Sequence, residues 1–196
     1  MIHSILQGNS VRLEPLTRNH HEALCAVGLD EETWRWMPLQ VHSSSDMLEY
    51  IEAALCAQEK GREAPFVTVD ASSGKVVGST RFMNIEEKHR RREIGSTWIA
   101  PSWQRTAINT EAKYLMLQHA FGPLHCDRVE FKTDFLNQKS RNALLRIGAK
   151  EEGVFRKHIV TASGRIRDTI WFSIIDSEWP QVKSDLERKL SARLKG

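Results

Sequence analysis

Apolar and polar residues alternate in "VRLEPL", Val11 to Leu16, which predicts a strand, and Thr17 just beyond it is a residue type that caps helices. A helical region follows, through "HHEALCAVGLD" and on to "EETWRWM". The clearest helix is "SSSDMLEYIEAALCAQEKG". There Met47, Tyr50, Ile51, Ala54 and Leu55 form one apolar stripe, Ser43 to Ser45 offer caps, and Gly61 is a stop signal. The period then shortens to two. "APFVTVDA" and "KVVGSTRFMNI" flank "SSG" as a hairpin, and "REIGSTWIA" supplies a third strand.

After the connection "APSWQRTAIN", the stretch "TEAKYLMLQHAF" reads as a helix ended by Gly122 and Pro123. "DRVEFKTD" alternates as a strand, and "NQKSRNALLRIGA" is a short helix closed by Gly148. "EGVFRKHIV" and "RIRDTIWFSII" form a last pair of strands around "TASG". In the second of these, "DTIWFSII" is apolar on both faces, which suits a buried central strand or a seam between two copies. A surface helix, "KSDLERKLSARLKG", completes a C-terminal helical segment from about residue 177. The order is βααβββαβαββ with a terminal helix. Antiparallel stretches combined with two β-α-β crossovers indicate an α+β sheet flanked by helices. No repeat or linker divides the chain, so one domain is expected over residues 1–196.

Composition narrows the class. With 40% hydrophobic and 27% charged residues, the chain has the balance of a soluble globular protein. No run approaches the ~18 apolar residues of a membrane span, and "MIHSILQGNS" lacks the basic start and apolar block of a secretory signal. Cys25, Cys56 and Cys126 form no CxxC and read as reduced thiols of an intracellular, cytoplasmic protein. The histidines show no HxxxH or HExxH spacing, so no metal is inferred. A net charge of +3 is compatible with an anionic ligand but too weak to argue for nucleic acid. The densest basic run, "KHRRR" at Lys88 to Arg92, reads either as a solvated hairpin tip or as an RNA- or phosphate-binding patch.

The chemistry concentrates in "QRTAINTEAK". No proline occurs between Ser102 and Gly122, so every peptide N–H through the loop and first helical turn is free to donate. A helix start carries unpaired N–H groups and partial positive charge, both of which suit a diphosphate. Asn109 or Thr110 would cap the helix, Arg105 adds a cation, and Glu111 suits the dipole but competes with a bound anion. An ordinary connection between strand and helix fits the same residues.

Read with their flanks, these residues resemble the GNAT superfamily of acetyl-CoA-dependent N-acetyltransferases, in the branch typified by ribosomal-protein N-terminal acetyltransferases. The likeness runs from "VRLEPLTRNHHEAL" to "WFSIIDSEWPQVK" and is densest in "EIGSTWIAPSWQRTAINTEAKYLMLQHAF" and "NQKSRNALLRIGAKEEGVFR". It implies a mixed, mostly antiparallel sheet with a splayed central pair of strands, "STWIA" beside "VEFKTD". It also implies acetyl-CoA as donor. The family's pyrophosphate loop, Gln/Arg-x-x-Gly-x-Gly/Ala, opens here at Gln104 and continues through Arg105, Thr106, Ala107, Ile108, Asn109 and Thr110. Ala107 stands at the first glycine and Asn109 at the second small position. Backbone of Trp98 and Ile99 would bond the pantetheine amides. Asn137 matches the asparagine that fixes the pantetheine arm, and Ser140 the hydroxyl near the thioester sulfur, although "NQKS" also reads as a helix cap.

Such an enzyme must deprotonate an amine before direct attack in a ternary complex, stabilise the developing oxyanion and protonate a thiolate. Ser140 is the candidate donor to the thiolate. Glu93, at the start of "REIGSTWIA", is the candidate base, with a surface ion pair as its other reading. The resemblance places Trp34, Trp36 and Met37 in the acceptor wall, where either ring could instead pack in the core. The expected acceptor is a protein N-terminus or an amine-bearing small molecule such as a polyamine or antibiotic; a non-catalytic acyl-CoA-binding or RNA-associated protein is the alternative class. No membrane partner is expected, and monomer and homodimer stay open.

Overall fold

The structure, a computed structural model, describes residues 4–193. Residues 1–3 of the N-terminal stretch and 194–196 of the expected terminal helix lie outside the described residues. In chain order come β1 (Leu6–Gln7), β2 (Val11–Pro15), α1 (His21–Gly28), α2 (Glu31–Trp34) and α3 (Ser44–Glu59), then β3 (Ala64–Asp70), β4 (Val76–Glu86) and β5 (Arg91–Ile99). α4 (Ile108–Phe121), β6 (Arg128–Asp134), α5 (Gln138–Arg146), β7 (Lys150–Val160), β8 (Ile166–Ile175) and α6 (Trp179–Arg193) follow.

The strands form one mixed sheet in the order β1-β2-β3-β4-β5-β6-β8-β7, antiparallel except for β5 with β6. That arrangement is the expected α+β class. Both crossovers are present: α4 links the parallel pair β5 and β6, and α5 carries the chain past β8's position to β7. β8 is therefore an interior strand, as "DTIWFSII" allowed.

Strand alternation gives the sheet two apolar faces. Phe66, Phe82, Ile94, Phe131 and Phe172 pack with Met116 and Leu117 of α4 and Leu186 of α6. Val67, Val69 and Trp98 pack on the opposite face against Trp34, Met47, Tyr50 and Ile51 of α2 and α3. The serine cluster does cap α3: the Asp46 N–H donates to Ser43 Oγ (3.1 Å), and the Ser43 N–H donates to Asp46 Oδ2 (3.0 Å).

The central pair matters most. β5 and β6 are in register only from Arg91/Arg128 to Glu93/Glu130, after which they separate. β5 also bulges against β4 after Gly95, with Ser96 at φ 47°. The sheet thus opens beside Ile94 to Ile99.

The "KHRRR" run joins β4 to β5 but is not simply a solvated tip. Arg90 pairs with Asp127 (2.6 Å), Arg91 with Glu86 and with Glu130 (3.0 Å), and Arg92 with Glu87 (3.8 Å), while Arg92 itself is buried. Three of its cations are engaged by the chain's own carboxylates.

Candidate active site

The opening between β5 and β6 is the floor of a cavity of about 510 Å³. One end is walled by Gln104, Arg105, Thr106 and Asn109 of the loop before α4, with Lys139 and Arg146 of α5. The other end meets Glu32, Thr33, Trp36 and Met37 around α2, Lys132 of β6 and Arg167 of β8. Ser140 and Asn137 lie along the α5 side.

At the first end, α4 begins at Ile108, two residues before the sequence pattern suggested. The N-cap is Ala107, with no side-chain cap, so neither Asn109 nor Thr110 caps the helix. Its φ of −71° is ordinary for alanine, and the absent glycine costs nothing there. The left-handed residue is Arg105, φ 64°. The Glu111 N–H donates to the Ala107 carbonyl (2.9 Å) and the Ile108 N–H to Thr106 Oγ1 (3.3 Å). The N–H groups of Arg105, Thr106, Ala107, Asn109 and Thr110 have no acceptor among the described residues. Asn109 Oδ1 is likewise buried and unpartnered. Free donors, a helix start and three cations (Arg105, Lys139, Arg146) make an anion cradle.

Glu111 does not compete with that anion. It turns away and accepts from the N–H groups of Asn9 (2.9 Å), Ser10 (2.6 Å) and Val11 (3.0 Å), clamping the β1–β2 turn onto α4. Gly8 must be small for this: a Cβ would sit 2.6 Å from Glu111 Cδ.

The backbone expectation for β5 divides. The Trp98 carbonyl faces β4, only 2.1 Å from where a Gly78 Cβ would lie, so it is turned from the opening. Strand alternation then aims Ile99 into the opening, where its carbonyl accepts from Gln104 Nε2 (2.8 Å). Gln104 Oε1 is held by Lys139 Nζ. Asn137 caps α5, its Oδ1 accepting from the Ser140 N–H (3.0 Å), and its Nδ2 remains free. The Ser140 hydroxyl makes no hydrogen bond among the described residues.

Trp34 and Trp36 separate cleanly. Trp34 is 0% exposed, donates Nε1–H to the Gly28 carbonyl (2.6 Å) and packs on Tyr50 and Trp98; it belongs to the core and not to the acceptor wall. Trp36 and Met37 line the cavity. Glu93 is buried, with Oε2 held by Lys132 (2.7 Å) and Asn84 (2.6 Å), while Oε1 has no hydrogen-bond partner among the described residues. It lies at the last paired position before the strands part, just outside the cavity lining.

Sequence reasoning singled out only Arg105 among the lining cations and missed Lys113, Lys132, Lys139, Arg146 and Arg167, of which the two most buried are Lys113 and Arg167. Lys113 is buried on α4, bonded among the described residues to Thr97 Oγ1 (2.6 Å) and Thr80 Oγ1 (3.4 Å) alone, and burial brings its pKa down to about 7. Its position in "TEAKYLM", between apolar residues on the inward helical face, was the available signal. Arg167 is 5% exposed on β8, and burial lowers its pKa as well. The run "RIRDT" gave no sign of which arginine points inward.

Comparison with known proteins agrees with this geometry. The family described as "Acetyltransferase (GNAT) domain" matches residues 10–150. A GCN5-related N-acetyltransferase from Brucella melitensis is 34% identical with a TM-score of 0.88, over 96% of this chain and 86% of that one. The Mycobacterium smegmatis RimJ structure in complex with CoA-disulfide is 25% identical with a TM-score of 0.80, covering 91% and 88%. YdaF of Bacillus subtilis (strain 168), provisionally named a ribosomal N-acetyltransferase, is 32% identical over 110 residues, 56% of this chain and 59% of YdaF. The chain belongs to the GNAT acetyltransferase family and is an N-acetyltransferase by that membership. Family members use acetyl-CoA. The residues present fit that group: unpaired loop N–H groups and cations for a diphosphate, and an open strand edge for amides.

Proposed function

We propose that this protein acetylates the α-amine of a protein N-terminus, with acetyl-CoA held in the opening between β5 and β6. Acetyl transfer is supported by one continuous cavity, with unpaired N–H donors and cations at one end and Trp36 and Met37 at the other. The protein N-terminus is supported by the likeness to YdaF, provisionally named a ribosomal N-acetyltransferase. When bound, acetyl-CoA supplies an acetyl group activated as a thioester. The N–H groups of Arg105, Thr106, Ala107, Asn109 and Thr110, with Arg105, Lys139 and Arg146, would hold its diphosphate. The Ile99 carbonyl and Asn137 Nδ2 are the groups available to pantetheine amides.

The chain's remaining polar groups suit acid–base work. An alkylammonium must lose a proton before it is nucleophilic. Glu93 Oε1 is the acceptor at the head of the opening, reached through water, while Lys132 and Asn84 fix the carboxylate. Ser140 Oγ–H has no acceptor among the described residues and is the donor for a departing thiolate. The half-buried Trp36 and Met37 line the acceptor side and would shield a bound amine from water.

Calorimetry with acetyl-CoA followed by thiol release across an amine panel tests the reading. Saturable binding and release dependent on a peptide amine are expected. No heat at millimolar cofactor would overturn it, and unchanged turnover in Ser140→Ala would remove that residue from the mechanism.

A further inference from the structure

The acceptor end of the cavity holds a buried cation that has no ion pair of its own among the described residues. Arg167 is 5% exposed and lines the cavity beside Trp36, Met37 and Lys132. Among the described residues its Nε is buried without a hydrogen-bond partner, and its one hydrogen bond, from Nη1 to the Trp36 carbonyl, is long at 3.5 Å. The neighbouring carboxylates are already engaged. Asp134 is paired with Arg165 and accepts from the Leu136 N–H (2.9 Å), and Glu93 is held by Lys132 and Asn84. No ion pair reaches Arg167 among the described residues.

A guanidinium kept from water without a partner destabilises the fold, so its persistence at a cavity wall points to a partner that arrives from outside. The planar fork matches a carboxylate. Lys132, whose ammonium lies 3.9 Å from the Trp171 ring centroid, is already paired with Glu93 (2.7 Å) and leaves Arg167 as the unpaired cation at this end. The one carboxylate lining this end is the exposed Glu32. Asp134 and Glu93 attract Arg167 from nearby, but each is already held by another cation, so the unpaired Arg167 fork is the group left to receive an anion.

We propose that Arg167 receives a carboxylate of the acceptor, so that the acetylated amine belongs to a molecule bearing a carboxylate close by. This rests on the acetyl-transfer reading of the same cavity. The carboxylate has two possible sources, an acidic side chain early in a peptide N-terminus or the α-carboxylate of a free amino acid.

The test compares peptides with an acidic, neutral or basic second residue, free amino acids and spermidine, by thiol release with acetyl-CoA. Wild-type protein is expected to favour carboxylate-bearing acceptors over neutral ones by about tenfold or more in kcat/KM, through KM. Arg167→Gln should collapse that ratio toward one, and Arg167→Lys should restore part of it. Preference for acidic peptides over free amino acids assigns the side-chain source, and the reverse assigns the α-carboxylate. Equal use of neutral and acidic acceptors, or preference for spermidine, overturns the inference while leaving acetyl transfer standing. If no amine is acetylated, the transfer reading fails. Titration of acidic peptide against the Arg167 Nε–H NMR resonance then decides this one: a saturable shift supports it and an unmoved resonance overturns it.

Discussion

Lys113 shows how a single side chain ties stability to pH. Burial holds its folded pKa near 7, below its ordinary 10.5, with no carboxylate to offset the loss of water. Between those values the unfolded chain holds a proton that the folded chain has released. This group therefore makes stability rise with pH across that window, by about 1.4 kcal/mol per pH unit, and contributes its full penalty below about 7. Lys113→Met should flatten the rise, as read from urea denaturation midpoints across the window. Arg105 carries a second prediction at this scale. Its φ of 64° is strained for an L-residue, so Arg105→Gly should stabilise the fold by up to ~1 kcal/mol. The same change removes a cation from the cradle and should raise the Kd for acetyl-CoA severalfold by calorimetry.

The loop's donors were legible at this scale, because the absence of proline is a property of the sequence alone. The helix start was not. It is set where the Glu111 N–H meets Ala107, on a helix whose Glu111 side chain reaches residues about a hundred positions away.

Between elements, the clamp of Glu111 on the β1–β2 turn is the contact to break. Glu111→Ala removes the shared acceptor of three N–H groups, one of them on the buried Val11, and should cost about 1–3 kcal/mol in chemical denaturation. The region around α2 offers a paired comparison. Trp34→Ala removes a fully buried ring from the core and should cost ~3–5 kcal/mol. Trp36→Ala should leave the melting temperature close to wild type while raising KM for the acceptor. The sequence placed both tryptophans in one short helical region. Which ring goes inward is decided by tertiary placement, with Trp34 Nε1–H donating to the Gly28 carbonyl at the end of α1.

For the whole molecule, element order and class followed from periodicity, since alternation and the apolar stripe of α3 are local. Sheet order did not. The insertion of β8 between β6 and β7, and a parallel contact that lasts three residue pairs, depend on pairing between distant segments. That brief contact opens the sheet at Ile99 and brings Gln104, Ser140 and Arg167 around one cavity from three parts of the chain. Charge behaves similarly. A net +3 says little, yet Arg105, Lys113, Lys132, Lys139, Arg146 and Arg167 all line the same cavity.

The measurement that tests the central claim most directly is product analysis by mass spectrometry after incubation with acetyl-CoA and a peptide that carries both a free α-amine and an internal lysine. One acetyl group on the α-amine for each thiol released is the expected result. Acetyl found only on the lysine, or thiol released without any acetylated peptide, would contradict it.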